Sequence, residues 1–408
     1  MTAFTPSSAT EVLDTLKWAV AEETTLEIFG TGTKRGIGQP VEAEHQLDLS
    51  KLTGVTLYEP EELVLSARAG TPLAEIETLL EKHGQQLAFE PMDCSVLFGT
   101  NNGSGTLGGT LCANLAGPRR LKAGSARDHV LGIAAVSGRG DAFKSGGRVV
   151  KNVTGYDLSK AMAGSWGTLA AVTDVTFKVL PAAEEETTLA LRGLTDEQAS
   201  IVMSAAMGSS AEVSSAAHLP EGVAGSVATL GSDAATLLRV EGFGPSVKSR
   251  VELLKKLLAD AREIELHPGA ASRTIWRGIR DCAPFADETD KPVWRISVAP
   301  TAGHEVALAI RQHSPATVFY DWQGGLVWLR MEGEAEAPLV REAVAKFGGG
   351  HATLLRAPES VRASVPVFQP QPAALASLSS RLRDEFDPRM ILNPGRMYAT
   401  ARSAKIHT

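Results

Sequence analysis

The chain has 408 residues, 43% hydrophobic and 21% charged, which is enough for more than one globular domain. A net charge of -7 with no Lys/Arg tract argues against a nucleic-acid partner. Cys94, Cys112 and Cys282 are too few and too far apart for a disulfide framework, and without a CxxC or Cys/His cluster a zinc site or an iron–sulfur cluster lacks ligands. The opening residues show neither a basic n-region nor an apolar core, and no run is long enough to span a bilayer. The expectation is a cytoplasmic, reducing location, with membrane contact only through a partner.

Residues 10–22 place Val12, Leu13, Leu16 and Ala19 at helical spacing, with Thr10 as the expected N-cap. Residues 25–29 read as a strand that runs directly into Gly30-Thr31-Gly32-Thr33-Lys34-Arg35-Gly36-Ile37-Gly38. A strand opening into a glycine loop suits a pyrophosphate, because amide N–H groups face the anion and no bulky side chain blocks its approach. The loop lacks the Gly-Lys-Ser/Thr ending of a Walker A motif. It is not a GxGxxG opening a helix either, since Pro40 and the polar run after it suit a loop. Taken alone it reads equally well as a surface turn, and Lys34 and Arg35 as solvated charges or phosphate contacts.

Short strands are expected at 45–49, 54–58 and 63–69. Thr71 and Pro72 then open a helix, as N-cap and first residue, whose apolar face is Leu73, Ile76, Leu79 and Leu80. Gly84 ends it, and residues 86–89 read as a strand before Pro91. Residues 99–181 organise the chain. Glycine recurs there between short apolar runs with few acid–base side chains, which reads as a backbone-built cradle for a large phosphorylated ligand. Strands are expected within it at 130–137 and 169–179. Tyr156 and Asp157, behind the polar run 151–155, read as functional residues or as a helix cap.

Pro181 and the acidic run Glu184, Glu185, Glu186 read as a domain boundary. Beyond it a β-α-β-β-α-β pattern occurs twice. The first copy has strands at 187–192, 212–219, 236–242 and 263–267 and helices at 195–207 and 246–261. The second has strands at 293–298, 317–321, 325–331 and 351–356 and helices at 302–313 and 335–347. A bridging helix at 272–282 joins them. Residues 182–360 thus read as one antiparallel-sheet domain with helices on one face. A Pro-rich segment, a helix at 373–386 and the loop from Asp387 to Tyr398 complete the chain.

Several of these residues carry a resemblance. Gly105-Thr106-Leu107-Gly108-Gly109, Ala113-Asn114 and Gly124-Ser125-Ala126-Arg127-Asp128 resemble the central FAD-binding segment of the vanillyl-alcohol oxidase superfamily. Gly164-Ser165-Trp166-Gly167-Thr168-Leu169 with Val172-Thr173 resembles its closing segment, and the Gly30–Lys34 loop sits where its pyrophosphate loop belongs. Asp387-Pro388 and Asn393-Pro394-Gly395 resemble the C-terminal signature of its 2-hydroxy-acid dehydrogenase branch. Taken together, these ordered matches over nearly the whole chain resemble the FAD-binding E subunits of bacterial glycolate oxidases.

The resemblance implies an α+β chain: a PCMH-type FAD-binding domain of two subdomains over 1–181, the antiparallel-sheet cap over 182–360, and a segment over 361–408 that returns to the first domain. It implies that the backbone amides of Thr31, Gly32, Thr33, Lys34, Gly108 and Gly109 hold the pyrophosphate, with Gly105 and Thr106 beside them. Ala113, Gly124 and Arg127 are expected along the isoalloxazine and ribityl, Gly167, Thr168 and Val172 toward the adenine side, and Pro91 and Asn393 near the cofactor. Arg127 reads alternatively as an ion-pair partner of Asp128, and Asn393 as a turn residue before Pro394.

Thr31 and Thr33 stand in the loop where covalent members carry His or Cys, so dissociable FAD is expected. Trp166 stands where related dehydrogenases commonly have Glu. The His pair of the family's catalytic subunits has no counterpart among the nine histidines, so no metal is expected. The implied role is the FAD-binding subunit of a complex oxidising glycolate to glyoxylate, with a sister flavoprotein subunit and an iron–sulfur subunit as partners. A self-sufficient lactate-type dehydrogenase and a non-catalytic assembly subunit are the alternatives. The cap strands offer Arg330 and Arg356 as cations for a substrate carboxylate, or as structural residues; no catalytic base stands out.

Overall fold

The computed structural model describes residues 1–100, 105–148, 156–259, 263–287 and 290–398. The runs 101–104 and 151–155, the end of the helix expected at 246–261, and His407 lie outside them. A small parallel sheet opens the fold, with β1 (Ala3–Phe4), β2 (Leu26–Phe29) and β3 (His45–Asp48) in the order β1-β3-β2. Helix α1 (Ala9–Ala21) buries Val12, Leu16 and Ala19. Its cap is Ser8 and not Thr10: Ser8 has extended backbone, and its Oγ accepts the Glu11 N–H at 3.2 Å. Ile391 and Leu392 from the far end of the chain complete this small core, and Leu392 bridges to Leu26 in parallel register.

An antiparallel five-stranded sheet follows, ordered β4-β5-β9-β7-β8. It comprises β4 (Val55–Glu59), β5 (Val64–Arg68), β7 (Val130–Ser137), β8 (Ala142–Gly146) and β9 (Ala170–Lys178). The expected strand at 86–89 shrinks to β6 (Gln85–Gln86), paired with β10 (Leu180–Pro181); Leu87 and Phe89 turn into the core instead. Helix α2 (Leu73–Glu81) packs Leu73, Ile76 and Leu80 on this sheet, each such side chain worth about 1.5–3 kcal/mol when fully buried. Pro72 occupies its N-cap without a side-chain bond. The Thr71 hydroxyl accepts from Gly54 N at 3.0 Å and is not available to the helix.

The glycine-rich stretch hides short helices that glycine masks in a propensity reading. After α3 (Cys94–Phe98) they are α4 (Leu107–Ala113), α5 (Arg120–Ala123), α6 (Ala126–His129) and α7 (Leu158–Met162). Asp157 stands at the N-cap position of α7, pairing with Lys160 at 2.8 Å and accepting from Ser159 at 2.6 Å.

The acidic run before residue 187 is not a linker: β11 (Glu185–Arg192) begins inside it, and Glu186 is buried. With β12 (Ser215–Leu219), β13 (Ala235–Gly242), β14 (Ile264–Pro268), β15 (Val293–Ser297), β16 (Ala316–Asp321), β17 (Leu326–Met331) and β18 (His351–Arg356) it builds an eight-stranded sheet. The order β14-β11-β13-β12-β16-β17-β15-β18 is one β-α-β-β-α-β half followed by its mirror-ordered repeat, joined antiparallel at His218 and Tyr320. Helices α8 (Asp196–Met207) and α9 (Gly244–Leu257) cover one face of the first half, packing on Leu189, Leu191, Leu238 and Val240. The bridging helix α10 (Ala270–Arg280) lies on the opposite face, where Trp276 donates to Thr188 at 2.8 Å. In the second half α11 (Gly303–Arg311) and α12 (Ala337–Lys346) follow β15 and β17, and α13 (Glu359–Ser364) leads to α14 (Ala373–Phe386).

An ion cluster ties this sheet to the N-terminal unit. Glu90 bonds Arg239 of β13 at 2.8 Å and Arg119 at 3.0 Å, and Arg119 reaches Glu241 at 2.7 Å. Burial pushes the Glu90 carboxyl up, but Arg239 and Arg119 outweigh that and hold it at about 2.

Candidate cofactor site

Strand β2 ends at Phe29 and the chain turns twice in succession, with Arg35 N donating to Gly32 O and Ile37 N to Lys34 O, both at 3.1 Å. Gly32 takes φ 79, a left-handed conformation that a Cβ disfavours. Among the described residues the N–H groups of Gly32, Thr33 and Lys34 donate to no protein acceptor. The loop lies directly on the start of α4: a Cβ at Gly30 would come within 2.6 Å of Thr106 Oγ1.

Thr106 caps α4, its Oγ1 accepting from Gly109 N at 3.2 Å, and Gly108 N donates to Ala69 O at 2.8 Å. The amides of Gly108 and Gly109, expected to hold a pyrophosphate, are therefore already occupied. What these glycines supply is closeness. A Cβ on Gly108 would sit 2.7 Å from that of Ala69, whereas one on Gly109 would meet only Thr106 Oγ1, at 3.0 Å.

Loop and helix line one cleft. Its lining brings together Thr31, Gly32, Thr33, Lys34, Thr106, Gly108, Gly109, Ala113, Gly167 and Val172 of the expected residues. Gly105 borders it: a Cβ there would lie 3.7 Å from Lys34 Nζ. Pro91 pairs with Ala116 in an isolated bridge outside the lining, and Gly124 follows α5 against the Asp128 side chain. Arg127 is exposed, its amide donating to Asn114 at 3.1 Å. Thr168 faces the C-terminal segment, with its hydroxyl on Ser165 O at 2.7 Å.

Asn393 does not line the cleft either. Its Oδ1 accepts Ile28 N at 2.7 Å, and its Nδ2 donates to Trp166 O at 2.8 Å and Ile28 O at 3.3 Å. The side chain is fully engaged with backbone, so Asn393 positions β2 and Trp166.

Trp166, Cys112, Arg35 and Arg396 complete the lining. Arg35 pairs with Glu27 and lies 4.5 Å from the Phe29 ring centre, so it is not a free loop charge. Burial pushes the Cys112 thiol up to about 11, which leaves it a neutral, poor nucleophile. Arg396 is buried, donates to Lys34 O at 2.6 Å and lies 5.7 Å from the Trp166 ring centre. Its only trace in the sequence is its place directly after Asn393-Pro394-Gly395. In the cap, Arg356 donates to the carbonyls of Leu97 and Phe285 at 2.8 and 2.6 Å, and Arg330 pairs with Asp287 at 2.9 Å. Both hold the fold together. Among the described residues no group of His, Cys, Asp or Glu is arranged to hold a metal.

Comparison with known proteins gives the family. Residues 2–146 match a family described as an FAD binding domain. Glycolate oxidase subunit GlcE of Escherichia coli K12 is 34% identical over 388 residues, covering 95% of this chain and 97% of the relative. The chain belongs to this family of FAD-linked oxidoreductases. A D-lactate dehydrogenase of Archaeoglobus fulgidus is 32% identical over 198 residues, 48% of this chain and 42% of the relative. The solved structure of p-cresol methylhydroxylase with substrate bound superposes at a TM-score of 0.69 with 12% identity, over 98% of this chain and 89% of that one. The fold is thus the PCMH type, α+β, and the protein is an FAD-dependent oxidoreductase whose cofactor is FAD. The geometry fits a dinucleotide: unengaged loop amides, bare glycine surface and a buried cation face one cleft. No helix among the described residues is long and apolar enough to cross a membrane.

Proposed function

We propose that this chain is the FAD-binding subunit of a glycolate oxidase-type complex that oxidises glycolate, a small 2-hydroxy acid, to glyoxylate. Its electrons would leave through a sister flavoprotein subunit and an iron–sulfur subunit. The observation that carries this reading is the end-to-end match to GlcE, 95% of this chain against 97% of that one, with the cleft intact. A relative named glycolate oxidase subunit GlcD, from Bacillus subtilis and 43% identical over 84 residues, supports a complex of several subunits.

Residues 1–181 and 361–408 form the FAD-binding unit in this reading, and 182–360 the cap. FAD supplies the capacity to accept a hydride. The N–H groups of Gly32, Thr33 and Lys34 hold the diphosphate, and Gly109, Ala113, Gly167 and Val172 present the small surface along which the dinucleotide lies. Thr31, Gly105 and Thr106 shape the end beside Lys34. FAD is held non-covalently, because the loop offers hydroxyls and the neighbouring Cys112 is a neutral thiol. Membrane contact, where it occurs, runs through the partners.

The test is to purify the chain alone and with its partner subunits, release flavin by heat, and follow glycolate-driven dye reduction. Releasable FAD, with activity only in the complex, is the expected result. Dye reduction by the isolated chain would favour the second reading, a self-sufficient 2-hydroxy-acid dehydrogenase, which the partial match to D-lactate dehydrogenase supports. A colourless chain that takes up no FAD would favour an assembly subunit.

A further inference from the structure

Arg396 stands out among the cleft residues by its charge balance. The residue is 5% exposed, and its Nη2 is engaged by Lys34 O at 2.6 Å. Its Nε is buried without an acceptor among the described residues. The acid nearest to it in electrostatic effect, Glu27, is already engaged by Arg35 Nε at 2.8 Å. Arg362 and Arg35 add repulsion, and Arg362 is itself turned onto Gly38 O at 2.7 Å. Burial lowers Arg396 to about 10, which leaves it protonated at neutral pH. A buried cation with an unmet N–H and no counter-ion is expensive unless an anion completes it. Trp166 faces its guanidinium at 5.7 Å, and a π face does not accept the Nε proton as an anion does.

We propose that Arg396 is the ionic anchor for the diphosphate of FAD. Through it the bound diphosphate fastens the C-terminal segment 387–398 onto the glycine loop. The inference rests on the reading that this cleft holds FAD. It goes beyond that reading by giving the charge of the ligand a specific counter-ion, and by linking occupancy of the cleft to the chain's last described loop. Other ties of that segment to the N-terminal unit are the Asn393 side chain, the backbone bonds of Leu26 with Ile391 and Asn393 at 2.7 and 2.9 Å, Gln39 N donating to Arg396 O at 2.9 Å, and Arg389 on Val20 O at 2.6 Å and Glu23 at 3.1 Å.

The experiment titrates apo-protein with FAD and, separately, with ADP, which carries the diphosphate and no flavin. Wild type, Arg396→Met and Arg396→Lys are compared. Arg396→Met should weaken FAD and ADP by the same factor, on the order of 10- to 100-fold, the scale of one lost charge-assisted hydrogen bond. Arg396→Lys should fall between. Unchanged affinity for both ligands in Arg396→Met overturns the proposal, as does a loss for FAD with none for ADP, which would assign the cation to the flavin. If wild type itself binds neither ligand, the FAD reading of the cleft fails first and the anchor with it. Because Arg396→Met could also loosen the loop, hydrogen exchange is measured on the wild type. Saturating ADP should slow exchange in both 30–38 and 390–398, and unaltered exchange in 390–398 counts against the anchor.

Discussion

Replacing Asn393 by Ala tests whether the C-terminal loop shapes the cofactor cleft from behind. Asn393 is 1% exposed and its amide makes the bonds to Ile28 and Trp166 described above. Alanine leaves Ile28 N–H and Trp166 C=O buried without that partner, at about 1–3 kcal/mol each. Asn393 also has φ 42, where alanine is disfavoured by about a further 1 kcal/mol. The combined loss, about 3–7 kcal/mol, is a large share of the ~5–15 kcal/mol that stabilises an ordinary protein. In urea the midpoint should fall with little change of slope. FAD should bind at least about 10-fold more weakly, because β2 carries the glycine loop and Trp166 lines the cleft. Asn393→Asp keeps the acceptor for Ile28 N–H and loses the donor to Trp166, so its defect should be concentrated on FAD affinity. Wild-type urea midpoint and wild-type FAD affinity in Asn393→Ala would refute the clamp.

Other positions give independent outcomes. Gly109→Val should keep the fold by circular dichroism and lose FAD by about 10-fold or more, because its side chain meets only Thr106 before entering the cleft. Gly108→Val, wedged on Ala69, should be unstable whatever its ligand. Glu90→Gln should cost about 3–5 kcal/mol by leaving Arg239 and Arg119 short of a charge. Glu90 in the folded protein lies near 2, below its ordinary 4.5, so its stabilisation is present above about pH 4.5 and lost as pH falls toward 2. The Glu90→Gln variant should show a flatter acid-unfolding curve in that window. Asp321 behaves in the opposite sense: burial raises it from 3.8 to about 7 although it accepts the Trp322 N–H. The unfolded chain ionises first, so stability drains between about pH 4 and 7 and then levels. Asp321→Asn should remove that slope and be the more stable protein at pH 8.

Much of the fold was legible because periodicity reports burial. Both β-α-β-β-α-β halves could be read from alternating and helical apolar patterns, and 351–356 and 373–386 were placed to the residue. The short helices α4 to α6 were not, because Gly108, Gly109 and Gly124 depress helix propensity while tertiary contacts hold the turns. The cleft was legible as glycine loops, yet the division of labour inside it was not. A sequence does not show that Gly108 N is taken by Ala69 O, or that Asn393 faces β2 rather than the cleft. Arg396 was invisible for a related reason: one arginine in a loop gains meaning only when burial leaves its Nε without an acceptor among the described residues.

A crystal structure of the chain with FAD is the most direct test of how the cleft works. Diphosphate oxygens are expected within hydrogen-bond distance of the Gly32, Thr33 and Lys34 amides, with the dinucleotide running past Gly109 toward Trp166. Density for FAD elsewhere, or a diphosphate that leaves those amides facing water, would contradict this arrangement.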